Sequence, residues 1–307
     1  MKPKVYVMMS TYNGEKYIRE QLDSILAQNH VDICLAIRDD GSHDNTLKIL
    51  NEYENKYNNI NVYHGKNIGY AHSFWILLLS SPDDYDYYAF ADQDDLWEKN
   101  KLAAGIQALQ SNENDRLKLY ASALNVTDED MNFQYKNEFK KLRPKFGSAV
   151  TRPRLSGCTM IFNSSLLSIC KKMDIREKSG SCISHDALVY ISFLACGGNL
   201  TFSRKSYINL RRHPETITGH GKGILKRVSS VLDIFTSRKN EAQKQVAFIY
   251  ESINDCLTDE NRRLCMDILN YRSSFMSTLR LCFDKRIKCG LFSVDVTDFF
   301  AILFHCY

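Results

Sequence analysis

The run Tyr87-Tyr88-Ala89-Phe90-Ala91 is apolar and stops abruptly in Asp92-Gln93-Asp94-Asp95, three carboxylates within four residues, ahead of Leu96-Trp97. Carboxylates this close repel one another unless a cation or ordered donors hold them, so the segment reads as a divalent-metal site. The apolar run has the length and composition of a buried strand, which puts the acids at its carboxyl end, where open α/β sheets bind ligands. The same acids could instead form a solvated turn capping a helix that starts near Trp97.

Such a site needs a scaffold, and the apolar periodicity supplies one. Residues 5–9, 33–37 and 60–63 are runs of strand length, like residues 87–91. Between them lie helical stripes: Ile18, Leu22, Ile25 and Leu26; then Leu47, Leu50, Tyr53 and Tyr57, capped by Asp44 or Asn45; then Phe74 and Leu78. Four alternations of strand and helix argue an α/β fold: a doubly wound, mostly parallel sheet with helices on both faces. Polar segments at 10–14, 38–46 and 67–69 follow the strands and gather with Asp92 and Asp94 on one edge. Neither G-x-G-x-x-G nor G-x-x-x-x-G-K-[ST] is present, which takes support from the dinucleotide and P-loop readings.

Beyond a helical stripe at Leu102, Ile106 and Leu109 and a strand near 117–124, Lys140, Lys141, Arg143, Lys145, Arg152 and Arg154 form a basic run without an acid. It reads as a solvated loop, or as a holder of phosphate or an anionic membrane surface. Gly157 leads into a strand, either as a turn residue or to permit close backbone approach. Ser184-His185-Asp186 opens an apolar helix to Cys196, where an acid suits the helix dipole. A strand over 200–210 runs into Arg211-Arg212-His213 and a Gly-rich loop. From Lys222 the strands stop: a stripe at Leu225, Val228, Leu232 and Phe235 precedes helices near 243–256 and 261–281 and a Phe- and Leu-rich end. The expected domains are therefore 1–220 and a helical extension, 221–307, which either packs on the first or lies on a membrane surface.

With 307 residues, 44% hydrophobic and 25% charged, the chain is an ordinary globular protein, and a net charge of +4 gives no reason to expect nucleic acid. Its cysteines form no C-x-x-C pair and have no histidine at ligand spacing, so structural zinc is unsupported and a reducing cytoplasm fits. No run of eighteen apolar residues appears, since Asp295 and Asp298 break the candidate near the end.

Taken together, Ser10-Thr11-Tyr12-Asn13, Asp39-Asp40-Gly41-Ser42, Asn67-Ile68-Gly69 and Asp92-Gln93-Asp94-Asp95, in this order and spacing, resemble the family 2 glycosyltransferases of GT-A fold. The resemblance covers about the first hundred residues, and it implies an inverting transferase that takes a sugar from a nucleoside diphosphate, with domain 1–220 catalytic. It implies a nucleotide pocket of Thr11, Tyr12, Asn13, Asp40, Asn67, Gly69 and Asp92, in which Asp40 accepts the pyrimidine N3 proton. Asp94 would bind Mg²⁺ or Mn²⁺ and Asp186 would be the general base, although His-Asp stands where Glu-Asp or Gly-Asp is usual. Trp97, Gly157, Cys158 and His185 would line the acceptor and sugar cleft. The late Arg211-Arg212-His213 segment is similar to that of the bacterial rhamnosyltransferase-like branch, with Leu210 where tyrosine is usual. There the two arginines would neutralise the diphosphate and His213 would be a further metal ligand.

The implied partners are a dTDP- or UDP-sugar, with dTDP-L-rhamnose the expected donor, and a lipid-linked or saccharide acceptor of a bacterial surface polysaccharide. The expected location is cytoplasmic, with peripheral contact at the inner face of the plasma membrane. A nucleotidyltransferase that makes the activated sugar is the alternative enzyme, but it would want a Gly-rich basic loop after the first strand. A non-catalytic nucleotide-sugar-binding scaffold is the alternative of another class, against which the retained acids count.

Overall fold

The computed structural model describes residues 1–111, 115–140, 142–173, 184–213, 233, 235–236 and 239–307. The stripe expected at Leu225, Val228 and Leu232 and the Gly-rich loop after His213 lie outside the described residues. The chain forms two compact units. The first comprises Met1–Lys140, Leu155–Val189 and Gly198–Glu215, the second Lys141–Arg154, Tyr190–Gly197 and Thr216–Tyr307.

In the first unit β1 (Lys4–Thr11), α1 (Ile18–Leu26), β2 (Asp32–Asp39), α2 (Thr46–Lys56), β3 (Ile60–His64), α3 (Tyr70–Ser80) and β4 (Tyr87–Ala91) alternate as the periodicity requires. All of these strand pairings are parallel, in the order β3-β2-β1-β4. Every residue of β4 is buried, which demands cover on both faces of the sheet and explains why the run is Tyr, Phe and Ala without alternation. Register matters for the site: Thr11 pairs with Asp39 and Met9 with Ala91, so the polar segments after β1, β2 and β4 emerge side by side.

Beyond β4 the sheet becomes mixed. β5 (Leu96–Trp97), β6 (Leu119–Thr127), β7 (Phe133–Asn137), β8 (Ile161–Asn163) and β9 (Thr201–Arg211) continue it in the order β4-β8-β6-β9-β5, with β7 on β6. β8 runs antiparallel to β4 and β6, β5 antiparallel to β9, and β6 parallel to β9. Trp97 therefore sits in a two-residue strand paired with Ile208, and the helix expected there, α4 (Lys101–Gln110), begins later. α6 (Ser164–Cys170) lies in the first unit, capped by Asn163, which accepts from Leu166 N–H, and α7 (His185–Ala195) has residues 185–189 in the first unit and 190–195 in the second.

The described part of the second unit is helical: α5 (Phe146–Thr151), α8 (Glu241–Ile253), α9 (Asp259–Asn270), α10 (Phe275–Cys282) and α11 (Phe292–Leu303). The single helix expected over 261–281 is two, because Ser274 adopts an extended backbone and its Oγ accepts from Ser277 N–H, starting α10 afresh. The basic run is interrupted too: Arg143, Lys145 and Arg152 are exposed, but the α5 residues Phe146, Ala149 and Val150 between them are core. Among the described residues, no helix is long and apolar enough to cross a membrane.

One buried ion pair fixes the β2 end of the sheet. Arg38 and Asp40 are both buried and paired at 2.5 Å, and the guanidinium also donates to Ser73 Oγ and the Lys66 carbonyl. A Cβ on Gly65 would lie 2.1 Å from Arg38 Nη2. Gly65→Ala should therefore push Arg38 off its partners and lower stability by about 1–3 kcal/mol, the usual cost of breaking a buried polar network. Thermal unfolding measures this, and a midpoint equal to wild type would contradict the clamp.

Candidate active site

The D-Q-D-D turn is built by what its neighbours donate to its backbone. Gln93 closes a reciprocal pair with Tyr12, accepting from Tyr12 N–H at 2.9 Å and donating to Tyr12 O at 3.0 Å. Gln21 on α1 donates to Asp92 O at 2.8 Å. Arg211, from the end of β9, donates through Nε to Asp94 O at 3.0 Å and through its backbone N–H to Asp95 Oδ1 at 3.3 Å. Its remaining guanidinium nitrogens bond Glu129 O and the Glu20 carboxylate, and the group lies 4.3 Å from the centre of the Tyr17 ring.

With the turn so held, its acids face different partners. Asp94 Oδ2 lies 2.8 Å from His213 Nε2, and the imidazole neighbours Tyr17. Asp92 is half-buried, and burial, then the charges of Asp94 and Asp186, push its pKa up to about 7. Asp95 is buried, with Oδ2 unpartnered, and its pKa is raised well above the usual carboxylate range by burial and by Asp92 and Asp94. Beneath it Lys101 is equally buried, its Nζ 3.5 Å from the centre of the Trp97 ring, and burial lowers its pKa to about 7 against the pull of Cys158, Asp95 and Asp92.

Asp186 stands in the first turn of α7, where Oδ2 accepts from Gly157 N–H at 3.0 Å and Oδ1 from Ala187 N–H at 2.8 Å. Gly157 suits this approach, since a Cβ would lie only 3.0 Å from both Asp186 Cβ and His185 Nε2. The close approach expected of this glycine is thus to α7.

The fold brings Asp92, Asp94, His213, Gly157 and Asp186 to one edge, but it assigns several other expected residues elsewhere. Trp97, Cys158 and His185 do not line an open cleft, being 3%, 1% and 4% exposed. His185 is enclosed, stacked on Phe74 at 4.0 Å and edge-on to Phe90 at 4.5 Å, with neither ring nitrogen hydrogen-bonded. Arg211 is buried with its guanidinium nitrogens taken by Asp94 O, Glu129 O and the Glu20 carboxylate and so does not present them to a diphosphate, and the Arg212 guanidinium lies over Tyr135, 5.5 Å from the ring centre. Thr11 is buried and donates to Asp39 Oδ1, while Asn13 accepts from His43 N–H and joins the two loops. Asp40 is buried with its oxygens accepting from Arg38, Ile68 N–H and Gly69 N–H, so it closes the 67–69 loop and has no open face for a base. Tyr12, Asn67 and Gly69 remain exposed around it.

A divalent cation fits the Asp94 and His213 pair on donor chemistry, an oxygen and an imidazole nitrogen converging beside a second acid, Asp92. The tighter cluster of Asp92, Asp95 and Cys158, with donor atoms within 4.8 Å of one another, fits less well. The Cys158 thiol is pushed well up by burial, and the Lys101 ammonium already faces that cluster.

Residues 6–167 match the family described as glycosyl transferase family 2. The chain belongs to the family 2 glycosyltransferases. This glycosyltransferase is 32% identical over 225 residues to the dTDP-rhamnosyl transferase RfbG of Shigella flexneri, an overlap of 69% of this chain and 73% of that one. In fold it is similar to S. aureus TarS residues 1–349 in complex with UDP-GlcNAc, with a TM-score of 0.60, 18% identity, and coverage of 96% of this chain and 83% of that chain. A mannosyltransferase from Pyrobaculum calidifontis, in complex with GDP-Man and Mn²⁺, aligns with a TM-score of 0.52 and 14% identity over 99% of this chain and 87% of that one. The architecture is that of the GT-A glycosyltransferases.

The enclosure of His185 has a measurable consequence. Burial lowers its pKa from 6.5 to about 4, opposed by Asp186, so between these values the unfolded chain binds a proton that the folded one refuses. Stability from this residue is full above pH 6.5 and falls as the pH drops towards 4, by up to about 3 kcal/mol. The melting midpoint of wild type should fall more steeply over this range than that of His185→Phe, which keeps a ring between Phe74 and Phe90. Parallel curves would contradict a neutral buried imidazole.

Proposed function

We propose that the chain is a metal-dependent, inverting glycosyltransferase that moves a sugar from a nucleoside diphosphate to a saccharide or lipid-linked acceptor of a bacterial surface polysaccharide. L-Rhamnose from dTDP-L-rhamnose is the donor we favour, on the likeness to RfbG. The observation that carries the reading is the Asp94–His213 pair at the end of β4, beside Asp92 and with Asp186 close enough to act on the Asp92 charge. An anionic cluster of this kind favours a cation, and the half-buried Asp186 carboxylate beside it suits proton removal.

In this reading Asp94 and His213 hold a divalent cation with Asp92 beside them; when bound, it offsets the charge that develops on the departing diphosphate. Asp186 accepts the proton of the acceptor hydroxyl. The freed oxygen bonds to the anomeric carbon on the face opposite the diphosphate, and the anomeric C–O bond breaks with its electron pair leaving on the diphosphate oxygen. One displacement inverts the centre. Gly157 N–H and the start of α7 aim the base. Tyr12, Asn67 and Gly69 frame the nucleoside, over a floor made rigid by Arg38 and Asp40. The first unit is then the catalytic part and the region beyond about residue 220 an extension.

Transfer and donor affinity, measured with dTDP- and UDP-sugars and Mn²⁺, test these assignments. Asp186→Asn should lower turnover about 10²–10⁴-fold while donor affinity stays within a few-fold, since the base acts on the acceptor alone. Asp94→Ala should remove the metal-dependent part of donor affinity. Turnover of Asp186→Asn within a few-fold of wild type would mean that Asp186 only caps α7, because Asn caps nearly as well as Asp.

A further inference from the structure

The described residues of the second unit carry an apolar face that nothing in the proposed chemistry uses. On α11, Phe292, Val296, Phe300 and Phe304 recur every fourth residue and all are exposed, Phe292 at 85%. On α10 and its C-cap, Phe275, Met276 and Phe283 are exposed as well. The two stripes are continuous. Phe283 meets Phe299 at 5.4 Å, Phe299 meets Phe300 at 5.5 Å, and Phe300 stacks on Phe304 at 6.2 Å. Contiguous exposed aromatic surface of this kind disfavours solution and marks an interaction surface.

The charges around the face identify its occupant. Between residues 275 and 307 the acids are Asp284, Asp295 and Asp298, and each is engaged or buried. Asp284 is paired with Arg286, Asp295 accepts from the backbone N–H groups of Cys289 and Gly290, and Asp298 is buried. The exposed charges left on these elements are Arg280 and Lys285, with Lys288 half-exposed. An apolar aromatic stripe with a cationic margin is complementary to the interface of an anionic bilayer: the rings enter the headgroup boundary and the cations meet lipid phosphate. A second copy of this chain would oppose like charges across the same face.

We propose that α10 and α11 form a docking face for an anionic lipid surface, on which the helices lie without crossing it. The proposal does not depend on the sugar-transfer reading, and its test needs no catalysis. Purified full-length chain should float with vesicles of phosphatidylcholine and phosphatidylglycerol and bind vesicles of phosphatidylcholine alone much less. Phe292→Ser with Phe300→Ser should reduce partitioning at least about tenfold, since each buried phenylalanine contributes that much or more, with an unchanged melting midpoint because both rings are exposed. Arg280→Glu with Lys285→Glu should erase the preference for anionic lipid. Wild type that stays off both vesicles, or a double phenylalanine variant that floats as well as wild type, would overturn the proposal. So would a wild-type dimer, dissolved by the phenylalanine substitutions, that binds no vesicle: the face would then belong to a second copy of the chain.

Discussion

Like-charge repulsion at the end of β4 is the constraint around which the first unit is organised. Burial first, and then the neighbouring charges, Asp94 and Asp186 at Asp92 and Asp92 and Asp94 at Asp95, make these two acids resist ionisation. A turn of that composition would not keep its shape unaided. It is held largely through its backbone and Gln93, by Gln21 on Asp92 O, Arg211 on Asp94 O and the Gln93 side chain paired with Tyr12, while the Arg211 N–H also meets Asp95 Oδ1. The carboxylates of Asp92 and Asp94 are thus left at the edge, with His213 against Asp94 and Lys101 on the buried side. Only Asp95, against Lys101, lies on the interior side.

This division explains which residues were legible in the sequence. β1 to β4 and the polar segments after them could be read directly, since buried parallel strands are continuous apolar runs and their ends are abrupt. The acids announced themselves by crowding. Arg211 did not, because its role rests on Glu20, nearly the whole first unit away in sequence, and on carbonyls that every residue has. Trp97 was misleading: beside an apolar helical stripe it looks like a helix start, and only pairing with Ile208 makes it a strand. Lys101 offered a signal that could have been used, a lone cation in the buried stripe of α4 with Leu102, Gly105, Ile106 and Leu109.

His185 and Asp186 show how adjacent residues in a helix part company. One side chain turns into an aromatic enclosure and must be neutral; the other reaches the Gly157 N–H at the edge. The resemblance implied a base at Asp186 and a cleft-lining His185, whereas in the structure His185 is enclosed and only Asp186 reaches the Gly157 N–H. A side chain at Gly157 would crowd both residues, with a Cβ 3.0 Å from His185 Nε2 and from Asp186 Cβ.

The account stands on Asp94 and His213 holding one cation between them. Pulsed electron paramagnetic resonance of Mn²⁺ bound to the protein with dTDP or UDP measures that directly. Hyperfine coupling to a nitrogen of the protein should be present in wild type and absent in His213→Gln, with Mn²⁺ affinity reduced in Asp94→Asn. Mn²⁺ bound without nitrogen coupling, or coupling that survives His213→Gln, would contradict it.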